Sequence, residues 1–592
     1  YTYNASLDPC LDETAVVCIV GKKIKILGGF ASSNWSVHDP ASNPTIIDGE
    51  DIQRAMLVKR TSPTSPNGAS LDLEGFTIRR GRAGATPGRK EDRRGGGLKA
   101  ALLESLALRN VIFEDNLAQG ADTTQGDGGN GAGGGASISS TPSLLPTQVT
   151  LEHVSFLRNS ALGAVGPARG GLALGGGLFI DQAVLDASDV TFENNIATAG
   201  SPSGTGISGG LRADSLGGGM AVLFDTVVTA RRLTAKGNSS TGGDAAAIGG
   251  TGGVGGGGGI YAERSSVQLE DAEISDNSSF GGSGEHGGLG TGGGVTTFDS
   301  NIVLDRVAVL RNQARGGDGS TEKGSAGGGG VYLNRLNELG ATATIRNSII
   351  ADNHVAIGSG GGNVGGGGGG VFLLSHDARI IHSTFARNSL GVDPMAGQAI
   401  SVVSRPGNSG RAEIGYTIIA DHTSLNNVPA LNVRPGGMAV LEQGLFAGNE
   451  RDTNEGTVES GTFTGLETML NAASAGFVAP GPPEFDYHIL GSSSAVDEAI
   501  GSTVRVDFDN TVRQPPRDVG ADEACSFQED LVLSNGTVAG TALEVACRTI
   551  TAGPFVVEST GQLTLQAGAK VILTNGFRVE EGGRLEVLIQ LP

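Results

Sequence analysis

Four side chains recur at one register of the sequence, 35 to 43 residues apart, and alternate in sign: Asp189, Arg232, Asp271 and Arg306. Carboxylates and guanidinium groups along one face are the groups used in polysaccharide chemistry. A glycoside hydrolase needs a carboxylic acid and a carboxylate facing each other at about 5–9.5 Å. A lyase needs a base beside a cation that stabilises an enolate-like intermediate. In this column, however, every acid has an arginine as its neighbour, which lowers its pKa and favours an ionised pair over a poised acid. An ion-pair ladder between stacked strands accounts for the alternation without catalysis, at about a few tenths of a kcal/mol per exposed pair. A second alternating column, Asp276, Arg311, Asp352 and Arg387, supports that account. Aromatic platforms for sugars are scarce, with one Trp (Trp35) and six Tyr in 592 residues. The expectation is therefore that the chain is not an enzyme and has no catalytic residues. Asp189, Arg232, Asp271 and Arg306 form the site only if it is one.

The elements that must position these columns are visible as a repeat. A hexapeptide pattern returns as VIFEDN (111–116), VSFLRN (154–159), VTFENN (190–195), LTAKGN (233–238), AEISDN (272–277), VAVLRN (307–312), SIIADN (348–353) and STFARN (383–388). Positions two residues apart are mostly apolar, which is the signature of a strand with one face inward. The closing residues are Asn116, Asn159, Asn195, Asn238, Asn277, Asn312, Asn353 and Asn388. Asparagine tolerates left-handed backbone angles at a tight turn, and stacked amides can hydrogen-bond along a ladder. A second element, a glycine run leading into a short apolar stretch, recurs between them, as in GGGLFI (175–180), GGGIYA (257–262), GGGVYL (328–333) and GGGVFL (368–373). Strands that return in register without helical patterns between them are coils of a parallel β-solenoid, each burying its inner face against the next.

Composition sharpens this. The chain has 100 Gly, concentrated in residues 81–370, without the collagen period. The glycines fall at one turn of successive coils, so the loops are expected to stack as an ordered, polyglycine-like layer rather than hang as linkers. A net charge of −21 argues against nucleic acid as a partner, and no apolar run is long enough to span a bilayer as a helix. The chain opens at Tyr1 and reads as a mature or trimmed product. Its four cysteines form two local pairs, Cys10/Cys18 and Cys525/Cys547. Three pairings are possible; the local one, with an oxidising, extracellular location, is favoured over a zinc site. Aspartates in QGDGGN (125–130), GGDAA (243–247) and GGDGST (316–321) raise a Ca²⁺ site, but turn residues are the commoner reading, so no cofactor is expected.

The repeats resemble bacterial right-handed parallel β-helix proteins of the polymorphic-outer-membrane-protein type, over roughly residues 24–425. The stretches KILGGF (25–30) and LDLEGFTIRRG (71–81) fit the same pattern. Further on, FDYHILGSSSAVDEA (485–499), VDFDNTVRQPP (506–516) and DVGADE (518–523) look like the tail of the choice-of-anchor Q group. Its usual S-P-A-I-D stretch reads SSAVD here. The last sixty residues are similar to a small C-terminal β module called a coat-hanger stack. The resemblance implies an all-β, right-handed parallel β-helix secreted to a bacterial surface, and transfers no catalytic set. We divide the chain into N-terminal coils (1–70), repeats with glycine loops (71–440), an anchor-Q-like region (441–530) and a β module (531–592). The expected function is an extracellular scaffold or adhesin that binds cell-surface glycans or itself. Head-to-tail filaments would use a basic N-terminal end (Arg79, Arg80, Arg82, Arg89, Lys90, Arg93, Arg94, Lys99) and an acidic far end. The alternative is a polysaccharide lyase or glycoside hydrolase acting on acidic glycans.

Overall fold

Each repeat of the sequence makes one rung of a right-handed parallel solenoid. The computed structural model describes residues 15–589 except 65–67, 85–92, 143, 204–212, 246–248, 337–339, 363–364, 392–395, 424–426, 525–526, 528–529 and 569. Among these, Cys10, Cys525, Arg89 and Lys90 are absent, so those readings lie outside the described residues; no described cysteine is free.

Four sheets run along the axis. The strands that follow the glycine runs form a twelve-stranded parallel sheet, here called the first sheet, from Ala15–Val20 to Leu431–Val433. After a turn come long strands such as Ala183–Glu193 and Ser266–Ser275, which make the bent sheet. A nine-stranded sheet of short strands and an eight-stranded sheet of two-residue strands complete the rung. The inner column of the bent sheet holds Phe113, Phe156 and Phe192, all at most 1% exposed. Their rings stack at 4.9 and 4.8 Å with interplanar angles of 5° and 4°. Burying each such ring contributes about 1.5–3 kcal/mol.

The bend and the turn both need left-handed backbone, but the residue that supplies it at the turn differs from the expected one. Asp115, Arg158, Asn194, Gly237, Asp276, Arg311, Asp352 and Arg387, each immediately before a ladder asparagine, have φ of 54–66°. The asparagines themselves are not among the positive-φ residues. Freed from that duty, their amides point inward and link the rungs. Asn159 Nδ2 donates to Asn195 Oδ1 at 3.0 Å, Asn195 to Asn238 at 2.9 Å and Asn238 to Asn277 at 2.9 Å. The pattern runs from Asn116 to Asn388. Each amide also donates to a carbonyl of the preceding rung, as Asn195 Nδ2 does to Phe156 O at 2.8 Å. Beyond Asn388 the column continues through His422, whose Nδ1 lies 3.0 Å from Asn449 Oδ1.

The glycine loops form a hydrogen-bonded layer. A backbone zigzag runs from Gly129 through Ala164 and Gly171 to Gly200, and again from Ala213 through Gly243, Gly253, Gly282, Gly288, Gly317 and Gly324 to Gly358. At Gly253 a Cβ would lie 1.8 Å from the Ala213 carbonyl oxygen, so no side chain fits.

Past the last rungs, residues 475–524 turn back and pack on the flank of the bent sheet through Phe477, Tyr487, Ile489 and Val519 against Ile349, Ala386, Ile418 and Leu445. The final module is a separate three-rung stack with its own core, including Ile550, Phe555 and Leu563. Among the described residues no helix is long and apolar enough to cross a membrane.

Candidate functional site

Side chains alternate across each strand, so the second residue of a first-sheet strand points away from the core. In successive rungs that position holds Tyr261, Thr296, Tyr332 and Phe372, with Phe298 two residues after Thr296. The outward rings form a column: Tyr261 to Phe298 at 5.8 Å, Phe298 to Tyr332 at 6.0 Å and Tyr332 to Phe372 at 5.3 Å. The glycine runs make room for them. A Cβ on Gly367 would sit 2.4 Å from Phe372 Cε2, and on Gly327 3.2 Å from Tyr332.

This column floors a groove of 1070 Å³ between the first sheet and the glycine layer. Leu216, Val254, Leu289 and Ile357 line it from the glycine-layer side, and Lys323, Asn334, Arg405 and Arg434 supply polar groups. Phe298 and Phe372 are half-buried and offer ring surface, whereas Tyr261 and Tyr332 are buried. Burial pushes the Tyr332 hydroxyl up to about 12. Burial, with Glu263 beside it, raises that of Tyr261, which donates to Glu263 Oε2 at 3.0 Å. Arg405 is fixed from behind: Nη1 donates to Asn334 Oδ1 at 2.8 Å and to the Arg335 carbonyl at 3.2 Å. Arg434 lies 3.7 Å from Glu459. Asp214 is the one carboxylate among the described lining residues, and it accepts the Val254 amide at 2.8 Å.

The charge column read from the sequence lies on the bent sheet and does not line this groove. Asp189, Arg232, Asp271 and Arg306 all occupy the left-handed bend, with φ of 52–56°. They come together as two pairs. Arg232 holds both Asp189 oxygens at 2.7 Å, and this hydrogen bonding keeps the Asp189 carboxyl below the usual carboxylate range. Arg306 donates to Asp271 at 2.6 Å and Glu270 at 2.5 Å, and lies 3.3 Å from Asp305. Arg346 closes on Asp305 at 2.6 Å. The loop aspartates considered for Ca²⁺ include Asp244 and Asp318, which accept the Ser283 and Ser359 amides of the next rung at 2.7 and 2.9 Å.

A third polar cluster lies in the returning segment. His488 sits between Asp486 at 2.6 Å and Asp509 at 2.7 Å. Burial would lower its pKa, but these hydrogen bonds raise it to about 11. Asp507 and Asp518 are pushed by burial to about 6, and Asp522 to about 7. Arg513, with a fully buried guanidinium, donates to the carbonyls of Gly520 at 2.8 Å and Ala521 at 2.7 Å. The ligand atoms of His488, Asp509 and Asp522 lie within 4.8 Å of one another. His488 is committed to its two aspartates and Asp522 accepts the Ile489 amide, so the cluster acts as a clasp for this segment.

No protein family matches the sequence, and no curated protein does. Among solved structures the chain is similar to pectate lyase Pel9A, at 11% identity and a TM-score of 0.28, over 86% of this chain and 97% of that one. It is also similar to the PL6 family alginate lyase AlyGC, at 12% identity and a TM-score of 0.19, over 90% of this chain and 75% of that one. Both are lyases by name, and the expectation that the chain is not an enzyme is set aside. That expectation rested on scarce aromatics and ion-paired acids; the fold gathers four aromatics and two arginines into one groove that the column of ion pairs does not touch.

Proposed function

We propose that the chain is a secreted polysaccharide lyase acting on acidic glycans, with the groove on the first sheet as its binding site. The observation that carries this reading is the lining itself: an aromatic floor running along the axis, three basic side chains (Lys323, Arg405, Arg434) and, among the described lining residues, a single carboxylate. A linear polymer can follow that floor from rung to rung. A hydrolase would need two facing carboxylates, and Asp214 stands alone among the described lining residues. An elimination needs only a cation and a base. Arg405 and Arg434 would neutralise a uronate carboxylate and stabilise the charge that develops as the neighbouring C–H proton leaves. Lys323, which lines the groove, is the candidate base. Its amine takes that proton, a carbon–carbon double bond forms, and the glycosidic C–O bond breaks; the leaving oxygen is protonated from solvent. The local pairs Cys10–Cys18 and Cys525–Cys547 fit an extracellular location.

Calorimetric titration of the whole protein with oligogalacturonate and alginate oligomers, beside a neutral glucan, tests the binding. Ultraviolet absorbance of the unsaturated uronate product tests the chemistry. Salt-sensitive binding of an acidic glycan with product formation, lost in Lys323→Met, is expected. Equal affinity for the neutral glucan, or binding with no product from any acidic glycan, would overturn the reading.

A further inference from the structure

The groove is not uniform along its length: among the described residues its charges are sorted by rung. Register on the first sheet places Tyr261, Thr296, Tyr332 and Phe372 on successive rungs, so Tyr261 and Tyr332 stand two rungs, or about 9.6 Å, apart. Around Tyr261 the charges are negative. Tyr261 donates its hydroxyl to Glu263 Oε2 at 3.0 Å, and Asp214 lines the groove nearby. Asp214 Oδ1 accepts the Val254 amide at 2.8 Å, while Oδ2 has no hydrogen-bond partner among the described residues. From the Tyr332 rung onward the charged side chains that line the groove are Lys323, Arg405 and Arg434. Arg405 reaches back to Asn334 and the Arg335 carbonyl, both neutral acceptors, so its charge is held in place without being cancelled. The two tyrosines register the difference. Burial raises both hydroxyls; Glu263 and Asp214 add to the rise at Tyr261, whereas Arg405 opposes it at Tyr332.

We infer that the groove takes a glycan of mixed charge, with a uronate at the Arg405 end and an uncharged sugar at the Asp214 end, a refinement that rests on the acidic-glycan reading of the same site. A chain charged at every residue would set a carboxylate against Asp214 and Glu263 as it follows the floor past Tyr261. Like charges facing each other across an interface are costly. An uncharged sugar at that place presents hydroxyls instead. An ionised carboxylate accepts hydrogen bonds and has none to give, so hydroxyls donating to Asp214 Oδ2 form the stronger, charge-assisted kind. Asp214 thus rejects one sugar by repulsion and selects the other by attraction, the two halves of discrimination between ligands of similar shape. Phe298 lies between the two ends and offers a half-buried ring that stacks with a sugar face of either class. The uncharged residue can be an esterified uronate or a sugar without a carboxyl, since both bring hydroxyls and no charge to Asp214.

Calorimetry on the whole protein compares four oligosaccharides of equal length. They are a de-esterified oligogalacturonate, the same chain partly methyl-esterified, a chain alternating glucuronate with glucose, and a neutral glucan. The wild type is expected to prefer the mixed chains, and Asp214→Asn should act with opposite sign on the two classes. It should tighten the fully charged chain about tenfold by removing repulsion. It should weaken a mixed chain about tenfold by removing a charged acceptor. Asparagine keeps an oxygen for the Val254 amide, and an unchanged circular dichroism melt reports that the variant is folded. A preference confined to the esterified or to the alternating chain supports the inference and identifies the uncharged residue. The inference fails alone if the de-esterified chain binds at least as tightly as the mixed ones and Asp214→Asn does not move the two classes in opposite directions. If no acidic chain binds more tightly than the neutral glucan, the acidic-glycan reading fails with it.

Discussion

The two outward faces of the solenoid treat polarity in opposite ways. On the bent sheet every charge of the column is answered by the adjoining rung, and the Arg306 side chain is only 7% exposed with Asp271, Glu270 and Asp305 around it. On the first sheet the rings stack among themselves, while Lys323, Arg405 and Arg434 face an open groove. The periodic face is the saturated one. In a structure built by repetition, a charge that recurs at each rung finds its counter-charge one rung away. Groups available to a ligand come from where the period breaks, such as Phe298 in register between Glu263 and Asn334, or the turn residues Arg405 and Arg434.

Four changes would break or sharpen this contrast. The largest effect is expected from Arg306→Met, which leaves the buried Asp305 with Arg346 alone and removes the shared counter-charge of Glu270 and Asp271; it should cost about 3 kcal/mol, read as a lower urea midpoint. Glycan affinity of the folded fraction should be unchanged. Next, Arg405→Ala should reduce affinity for an acidic glycan about 10- to 100-fold by calorimetry, the value of a hydrogen bond to a charged group, with little change in the melt. A smaller effect is expected from pH. Asp507, Asp518 and Asp522 have raised pKa values, so the folded chain keeps protons that the unfolded chain releases above about pH 4, and stability falls as pH rises to about 7. His488 contributes fully below about pH 6.5 and loses its contribution as pH climbs towards about 11. The melting temperature should therefore decline with alkalinity, and the decline above neutrality should flatten in His488→Gln. The smallest effect belongs to Arg232→Gln on the exposed pair, which should alter neither stability nor glycan affinity measurably.

The rungs were legible because their demands fall on single positions. Phe113, Phe156 and Phe192 must be apolar to fill the axis, and only an amide can both donate and accept as Asn195 does. The turn was read one residue late, since Asp276 and Arg311 carry the left-handed angle next to asparagines that are also tolerant of it. The groove was hidden for a different reason. Tyr261, Tyr332 and Phe372 sit in short apolar runs where inward and outward residues look alike. Their common place, second in each strand after the glycines, was the available signal. Arg405 and Arg434 belong to no repeat, so spacing could not bring them to the groove. In the returning segment the DVGADE stretch was recognisable by resemblance, but that its backbone carbonyls enclose Arg513 depends on a loop closure that no local pattern encodes.

The glycine zigzag also constrains how such a chain can change in length. Each loop is bonded to the loops before and after it, as Gly282 donates to Gly253 and accepts from Gly288. Adding one residue inside this layer would put every later donor out of phase with its acceptor. Insertions are therefore confined to loop tips beyond the zigzag, and the body of the solenoid can grow or shrink only by duplicating or deleting whole rungs.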